Sequence, residues 1–272
     1  MSAADASWKV HLRGAAHIVH AMYSPGGLAA AGETGPALTL GNDSLSIRRF
    51  LVSLLSYLDV AASCATGEAP LIAGDYWETL GGGWQYNLGV PDFAATQCAS
   101  NRDLAQVRSA WSRLMSVQAE ISDFAKLQRS GLDEQQRDAI KAELVYRLRN
   151  WHESAPNVFS KLENLDAIPD DATDDEREML TVTACVGSYA LACTIYLERV
   201  ATKSIKSAAY DGEIKSAVDR VLTLTLNFSH GIHQLAVVWP LLTAGIATSD
   251  RHKQELCRQK LSGMNVFGFK VR

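Results

Sequence analysis

Apolar side chains recur at the 3.6-residue period of an α-helix along most of this 272-residue chain. Residues 8–23, 104–128 and 133–151 each place apolar positions on one helical face. No clear run of alternating apolar and polar residues indicates a strand, and no internal repeat is evident. The pattern predicts an all-α fold, with residues 1–272 forming a single domain of about eight helices in an irregular or orthogonal array.

Two long stretches, residues 179–197 and 221–249, contain no Asp, Glu, Lys or Arg. A membrane-spanning helix needs about 20 predominantly apolar residues. Both stretches carry too many hydroxyl, amide or imidazole side chains for that, so we interpret them as helices in the middle of a packed bundle and expect no membrane association. Ser249, at the end of the second stretch, is the expected N-cap of the last helix.

Two sequence patterns predict helix starts. Asp133 with Gln136, and Thr173 with Glu176, have the spacing of a capping box, in which each side chain accepts a hydrogen bond from the other residue's backbone N–H. Residues 163–178 hold eight acidic residues and one basic residue. We interpret this segment as an exposed acidic connection between helices.

A long loop is predicted over residues 66–100, where glycines and prolines interrupt the helical period. It contains five aromatic residues, including Trp84 and Tyr86. Long loops inside compact domains are usually functional. We expect this one to pack against the helices as a lid or plug.

The charge and the cysteines exclude several classes of protein. Lys and Arg number 26 against 30 Asp and Glu, which gives a formal charge of −4 and no basic field for nucleic acid. The five cysteines are widely spaced and include no C-x-x-C pair, so we expect neither disulfides nor a cysteine zinc site. The N-terminus has no apolar secretion signal, and an intracellular protein is expected.

The segment 227–240 carries polar groups in an apolar context, among them Asn227, His230 and His233. A buried polar group without a partner costs about 1–3 kcal/mol. Two interpretations stay open: a break between helices, or a pocket wall with hydrogen-bond donors and titratable imidazoles. The pair His17-x-x-His20 and the pair His230-x-x-His233 have a usable metal-ligand spacing but no evident third ligand, so no metal is expected.

Asp59 lies within a strongly apolar predicted helix, residues 44–63. If it is buried, its carboxylate needs a donor or becomes a candidate acid or base. We favour the other interpretation, in which Asp59 faces solvent or caps a neighbouring helix.

The sequence QLAVVWPLLTAGIATSDRHKQELCRQKLSGM, residues 234–264, resembles a signature of the fungal-specific transcription factor domain of binuclear-zinc-cluster regulators. The positions that carry this resemblance are Trp239, Pro240, Ala244, Gly245 and 249–256. The opening WKVHLRGAAHIV and the middle segment SYALACTIYLERV, residues 188–200, are similar to two further segments of that family. In the opening, the corresponding residues are Trp8, His11, Leu12, Gly14 and Ala15.

The resemblance implies a regulatory domain that binds an effector or a partner. The chain lacks the six-cysteine zinc cluster of that family, so we expect no direct nucleic-acid binding. The expected partners are a small apolar metabolite, another protein or a second copy in a homodimer, without a cofactor, in the nucleus or cytoplasm. The candidate ligand-binding residues are Trp84, Tyr86, Tyr189, Trp239 and Asn227.

An alternative is that the same fold serves as a cofactor-free enzyme. It would be a cyclase or isomerase acting on an apolar metabolite in an interhelical pocket, as in secondary metabolism. Only in that case are catalytic groups needed, and the candidates are His230, His233, Asp59 and His17. No catalytic motif supports this alternative directly. A structural interaction module without a ligand is the third interpretation.

Overall fold

The computed structural model describes most of the chain between residues 7 and 264. The described residues are 7–23, 55, 57–64, 66–72, 99–202, 208–228 and 236–264. Within these ranges every regular element is helical, and the predicted all-α fold is confirmed. The helices described are, in order, α1 (Ser7–Tyr23), α2 (57–64), α3 (Ala99–Ser130), α4 (Glu134–Glu153), α5 (Val158–Glu163), α6 (Asp174–Ala201), α7 (Ala208–Asn227), α8 (Val238–Ala247) and α9 (Arg251–Gly263).

Helix α6 is the centre of the fold and packs against α3, α4, α5, α7 and α8. By length and apolar composition it could cross a membrane, but 72% of its most apolar 18-residue window is buried within the protein. This burial is the environment predicted for the charge-free stretch 179–197, a helix in the middle of a packed bundle.

Two sides of α6 contribute to different parts of the core. Tyr189 and Cys193 belong to a cluster with residues of α1, α2, α3, α4 and α8. Cys185 and Ile195 belong to a second cluster with α7, α8 and α9. Because both sides of α6 are covered, the five helices that pack against it are positioned relative to it.

Both predicted capping boxes are confirmed. At the start of α4 the Asp133 carboxylate accepts the Gln136 N–H at 2.8 Å, and the Gln136 side chain accepts the Asp133 N–H. Thr173 and Glu176 form the same reciprocal pair at the start of α6. Each pair satisfies two N–H groups that a helix start leaves without an intrahelical partner.

The predicted cap of the last helix is wrong by one residue. Asp250, and not Ser249, is the N-cap of α9, where its carboxylate accepts the N–H groups of His252 and Lys253 at 2.8 and 3.4 Å. A carboxylate is favoured there because its charge complements the positive end of the helix dipole.

The acidic side chains of residues 163–178 are exposed, as predicted. Arg177 turns back onto the connection and donates to the carbonyl oxygens of Pro169 and Ala172, at 3.1 and 2.9 Å. Its guanidinium therefore orders the loop between α5 and α6. The sequence did not predict α5, because six residues are too few to display a helical period.

Two glycines at helix contacts give the first testable prediction. A Cβ on Gly187 would make ordinary contacts, 3.5 Å from Leu224 and 3.8 Å from Leu162. A Cβ on Gly245 would approach the Cβ of Cys257 to 3.2 Å, where α8 crosses α9. Gly187→Ala is expected to raise the free energy of unfolding by about 0.5–1 kcal/mol, because alanine favours the helix.

Gly245→Ala is expected to lower the free energy of unfolding by about 1 kcal/mol, since overpacking outweighs the same helical gain. Urea unfolding of both variants and the wild type measures the difference. Equal stabilisation by the two alanines would contradict the close α8–α9 contact.

Candidate functional site

Helix α2 separates a buried polar cluster from a solvent-facing cleft. On its inner side lie Tyr57, Val60 and Cys64, which are spaced three and four residues apart and contact the core. On its outer side lie Asp59 and Ser63, which are one helical turn apart and line the cleft. Any displacement of this helix therefore changes both sides together.

Aromatic rings and one buried hydrogen bond link α2 to α6 and α8. The hydroxyls of Tyr57 and Tyr189 are 2.9 Å apart, with Tyr189 as donor. The Tyr189 ring stacks on Trp239 of α8, with centroids 5.3 Å apart and planes 28° apart, and also contacts Trp111 of α3. Tyr189 is fully buried. Burial raises its phenol pKa well above the usual value, and the neighbouring Tyr57 raises it further.

The C-terminal end of α2 is held by polar groups of α3. The Cys64 thiol is 3.2 Å from the Ser122 hydroxyl, and the Gln118 amide nitrogen donates to the Cys64 sulfur at 3.3 Å. Burial raises the pKa of the Cys64 thiol to about 11. The Gln118 side-chain oxygen is buried and has no hydrogen-bond partner among the described residues. An unpaired buried polar group lowers the free energy of unfolding by about 1–3 kcal/mol, so this oxygen destabilises the cluster.

On the outer side of α2, Asp59 is buried, so the solvent-facing position that the sequence favoured for it is wrong. Its carboxylate accepts the backbone N–H of Ile72 at 2.7 Å, while its carbonyl oxygen accepts the Ser63 hydroxyl. A carboxylate buried on an apolar helix needs such a donor. The bond holds residues 67–72 against α2.

The turn after α2 is fixed by a glycine and an arginine. Gly67 has φ +67°, in the left-handed region, and its N–H donates to the Ser63 carbonyl at 2.7 Å. The Arg129 guanidinium of α3 donates to the Thr66 carbonyl at 3.2 Å and covers Gly67. Glycine is favoured there because a side chain would be strained in this conformation.

An open cleft of about 70 Å³ lies between α1 and this segment. It is lined by Lys9, Leu12, Arg13, Asp59, Ala62, Ser63, Thr66, Glu68, Ala69 and Leu71. Helix α1 contributes basic side chains, and the α2 segment contributes acidic ones. The cleft is therefore small, polar at its edges and apolar along part of its wall.

The other predicted site residues are dispersed. Tyr189 and Trp239 do meet, but in the core and not on the cleft. His17 is exposed on α1 and does not line the cleft that contains Asp59. Asn227 is exposed at the end of α7, where its amide donates to the Asp166 carbonyl at 2.8 Å. The residues Trp84, Tyr86, His230 and His233 lie outside the described residues.

Sequence reasoning missed the polar residues beneath α2. Tyr57 and Cys64 are seven residues apart and therefore share a helical face, and Gln118 and Ser122 are four apart on α3. This spacing could have predicted the cluster, because it places polar side chains on helical faces that are otherwise apolar. In the described part of the chain, no group of three or more His, Cys, Asp or Glu side chains could hold a metal ion.

Comparison with known proteins gives one family. The model of the family described as the fungal specific transcription factor domain matches residues 1–269. No curated protein and no solved structure matches the chain. The family match spans all the helices described above.

The buried tyrosine pair gives the second prediction. Tyr57→Phe or Tyr189→Phe alone is expected to lower the free energy of unfolding by about 1–3 kcal/mol, because each leaves a buried hydroxyl without its partner. The double variant should lose less than the sum of the two, since both polar groups are then gone. Urea unfolding of the wild type, the two single variants and the double variant measures the four free energies of unfolding.

Tyr146→Phe serves as the matched control, because Tyr146 is 62% exposed on α4. It should leave the unfolding free energy within about 0.5 kcal/mol of wild type. Additive losses for the two core variants would show that the hydroxyls do not interact.

The Cys64 thiol gives a pH prediction. Its pKa is about 11 in the fold against 9.0 for an ordinary thiol. Above pH 9 the unfolded chain loses this proton before the folded chain does, so stability falls as pH rises from 9 to 11. Two pKa units correspond to at most about 2.7 kcal/mol.

Cys64→Ser keeps a hydroxyl for the same neighbours but does not titrate in this range. Its unfolding free energy, measured in urea at several pH values, should fall less between pH 9 and 11 than that of wild type. The remaining decline comes from other buried groups whose pKa values burial also raises, among them Tyr57, Tyr189 and the thiols of Cys193 and Cys257. Identical pH dependence in the two proteins would contradict the burial of this thiol.

Proposed function

This chain belongs to the fungal specific transcription factor domain family, and on that premise we propose that it is a regulatory domain that binds a small effector and a protein partner to control transcription. The effector occupies the cleft on the outer side of α2. The partner responds to the resulting change in the helical core. In this proposal the domain acts in the nucleus and contacts DNA only through other proteins.

The position of α2 is the observation that carries the proposal. Helix α2 contributes Asp59 to the lining of the cleft and the hydroxyl of Tyr57 to the core. A ligand shifts a conformational equilibrium only when it contacts the two states differently. A ligand in the cleft would contact α2 directly and would therefore favour one position of this helix.

The contacts beneath α2 support a route from the cleft to distant parts of the domain. Tyr57 bonds to Tyr189 on α6, and Tyr189 stacks on Trp239 of α8. A buried hydrogen bond contributes about 1 kcal/mol, and an aromatic pair about 0.5–1.5 kcal/mol. Changing both contacts is enough for a typical allosteric coupling of 1–3 kcal/mol.

The unpaired oxygen of Gln118 supports movement of α2. In the described arrangement it is buried without a donor, which disfavours this position of the helix. A second position that gives this oxygen a partner can therefore lie close in free energy. Regulatory domains need two such states of similar stability.

A reporter assay tests the proposal. The 272-residue chain is fused to an unrelated DNA-binding domain, and reporter transcription is measured with and without a fungal metabolite extract. The wild-type fusion is expected to change transcription when the extract is added. Ala69→Phe places a ring in the cleft and is expected to abolish the response to the extract.

Ala139→Phe is the matched control, because Ala139 is exposed on α4 and does not line the cleft. It should respond like wild type. A wild-type fusion that behaves like the DNA-binding domain alone in every extract would refute the regulatory role. An unchanged response in Ala69→Phe would place the effector elsewhere.

A further inference from the structure

We propose that the cleft between α1 and the α2 segment binds a small zwitterion, an α-amino acid with a short apolar side chain. The inference rests on the proposed function, for which it names the class of effector. It differs from the apolar metabolite expected from the sequence, because the cleft carries charges of both signs.

The two charges of such a ligand have opposite partners in the cleft. Arg13 extends from α1, and Glu68 follows the turn after α2. Both side chains are exposed, and neither forms a salt bridge with another described residue. The guanidinium suits a carboxylate, which it can bind through two parallel hydrogen bonds, and the Glu68 carboxylate suits an ammonium group.

Two further charged residues line the cleft, and both already have contacts within the protein. Lys9 lies one turn before Arg13 on the same side of α1, and Asp59 lies on α2. A ligand with only negative charge would lie near Glu68, and one with only positive charge would lie near Arg13. Because like charges repel, both kinds of ligand are disfavoured relative to a zwitterion.

The size and the apolar lining of the cleft limit the side chain that the ligand can have. Leu12, Ala62, Ala69 and Leu71 provide apolar wall on both sides. The cleft volume of about 70 Å³ is small, so only a short side chain is compatible with it.

Calorimetric titration of the full chain with three matched compounds tests the inference. L-valine has both charges, 3-methylbutanoate lacks the ammonium group, and isobutylamine lacks the carboxylate. All three have a similar apolar part. L-valine is expected to bind at least about five-fold more tightly than either analogue, which is the effect of one ion pair.

Variants that remove one charge test which cleft residue binds the carboxylate and which binds the ammonium group of the ligand. Arg13→Gln should weaken L-valine about five-fold while leaving isobutylamine unchanged, and Glu68→Gln should weaken L-valine while leaving 3-methylbutanoate unchanged. Arg149→Gln and Glu153→Gln are the controls, because these exposed residues of α4 do not line the cleft. The controls should bind L-valine like wild type.

Two outcomes would overturn the inference: no binding of L-valine at millimolar concentration, or equal binding of valine and a singly charged analogue. Either outcome leaves the regulatory role testable, because the reporter assay responds to any effector in the extract. A chain that binds L-valine but does not alter transcription would contradict the proposed function and leave the zwitterion site standing.

Discussion

The burial of α6 on several sides is the constraint on which the rest of the structure depends. This helix carries no charge between Glu178 and Glu198, so nearly every turn must be covered by another helix. Five helices pack against it. Small residues such as Ala184, Gly187 and Ala190 allow these neighbours to approach closely. The position of each neighbour is thus set by one central element.

Polar groups inside this core lower the free energy of unfolding unless they are hydrogen-bonded. Tyr57 and Tyr189 satisfy each other, whereas the Gln118 oxygen has no donor in the described residues. A core chosen only for stability would place apolar residues there. The retained polar cluster lies directly beneath α2, which also borders the cleft. In the proposed function, this cluster lowers stability and lets a ligand in the cleft change the position of α2.

Much of the fold could be predicted from local patterns. The capping boxes at Asp133 and Thr173 involve residues only three positions apart, and the charge-free stretch of α6 marks a buried helix by composition alone. The candidate site was predicted less well. Asp59 was identified as a residue of interest but was expected to face solvent or to cap a neighbouring helix. Its burial was not predicted, because its donor, the Ile72 N–H, lies in a segment without helical period.

The sequence by itself determined the helical class, the central helix and the starts of α4 and α6, since periodicity and capping act within one or two turns. Only the tertiary structure decided which buried polar groups meet. Tyr57 and Tyr189 are separated by 132 positions, and Cys64 and Ser122 by 58. No local pattern encodes such pairs, because they depend on how whole helices pack. The functional proposals rest on these long-range contacts and on the cleft that the same packing creates.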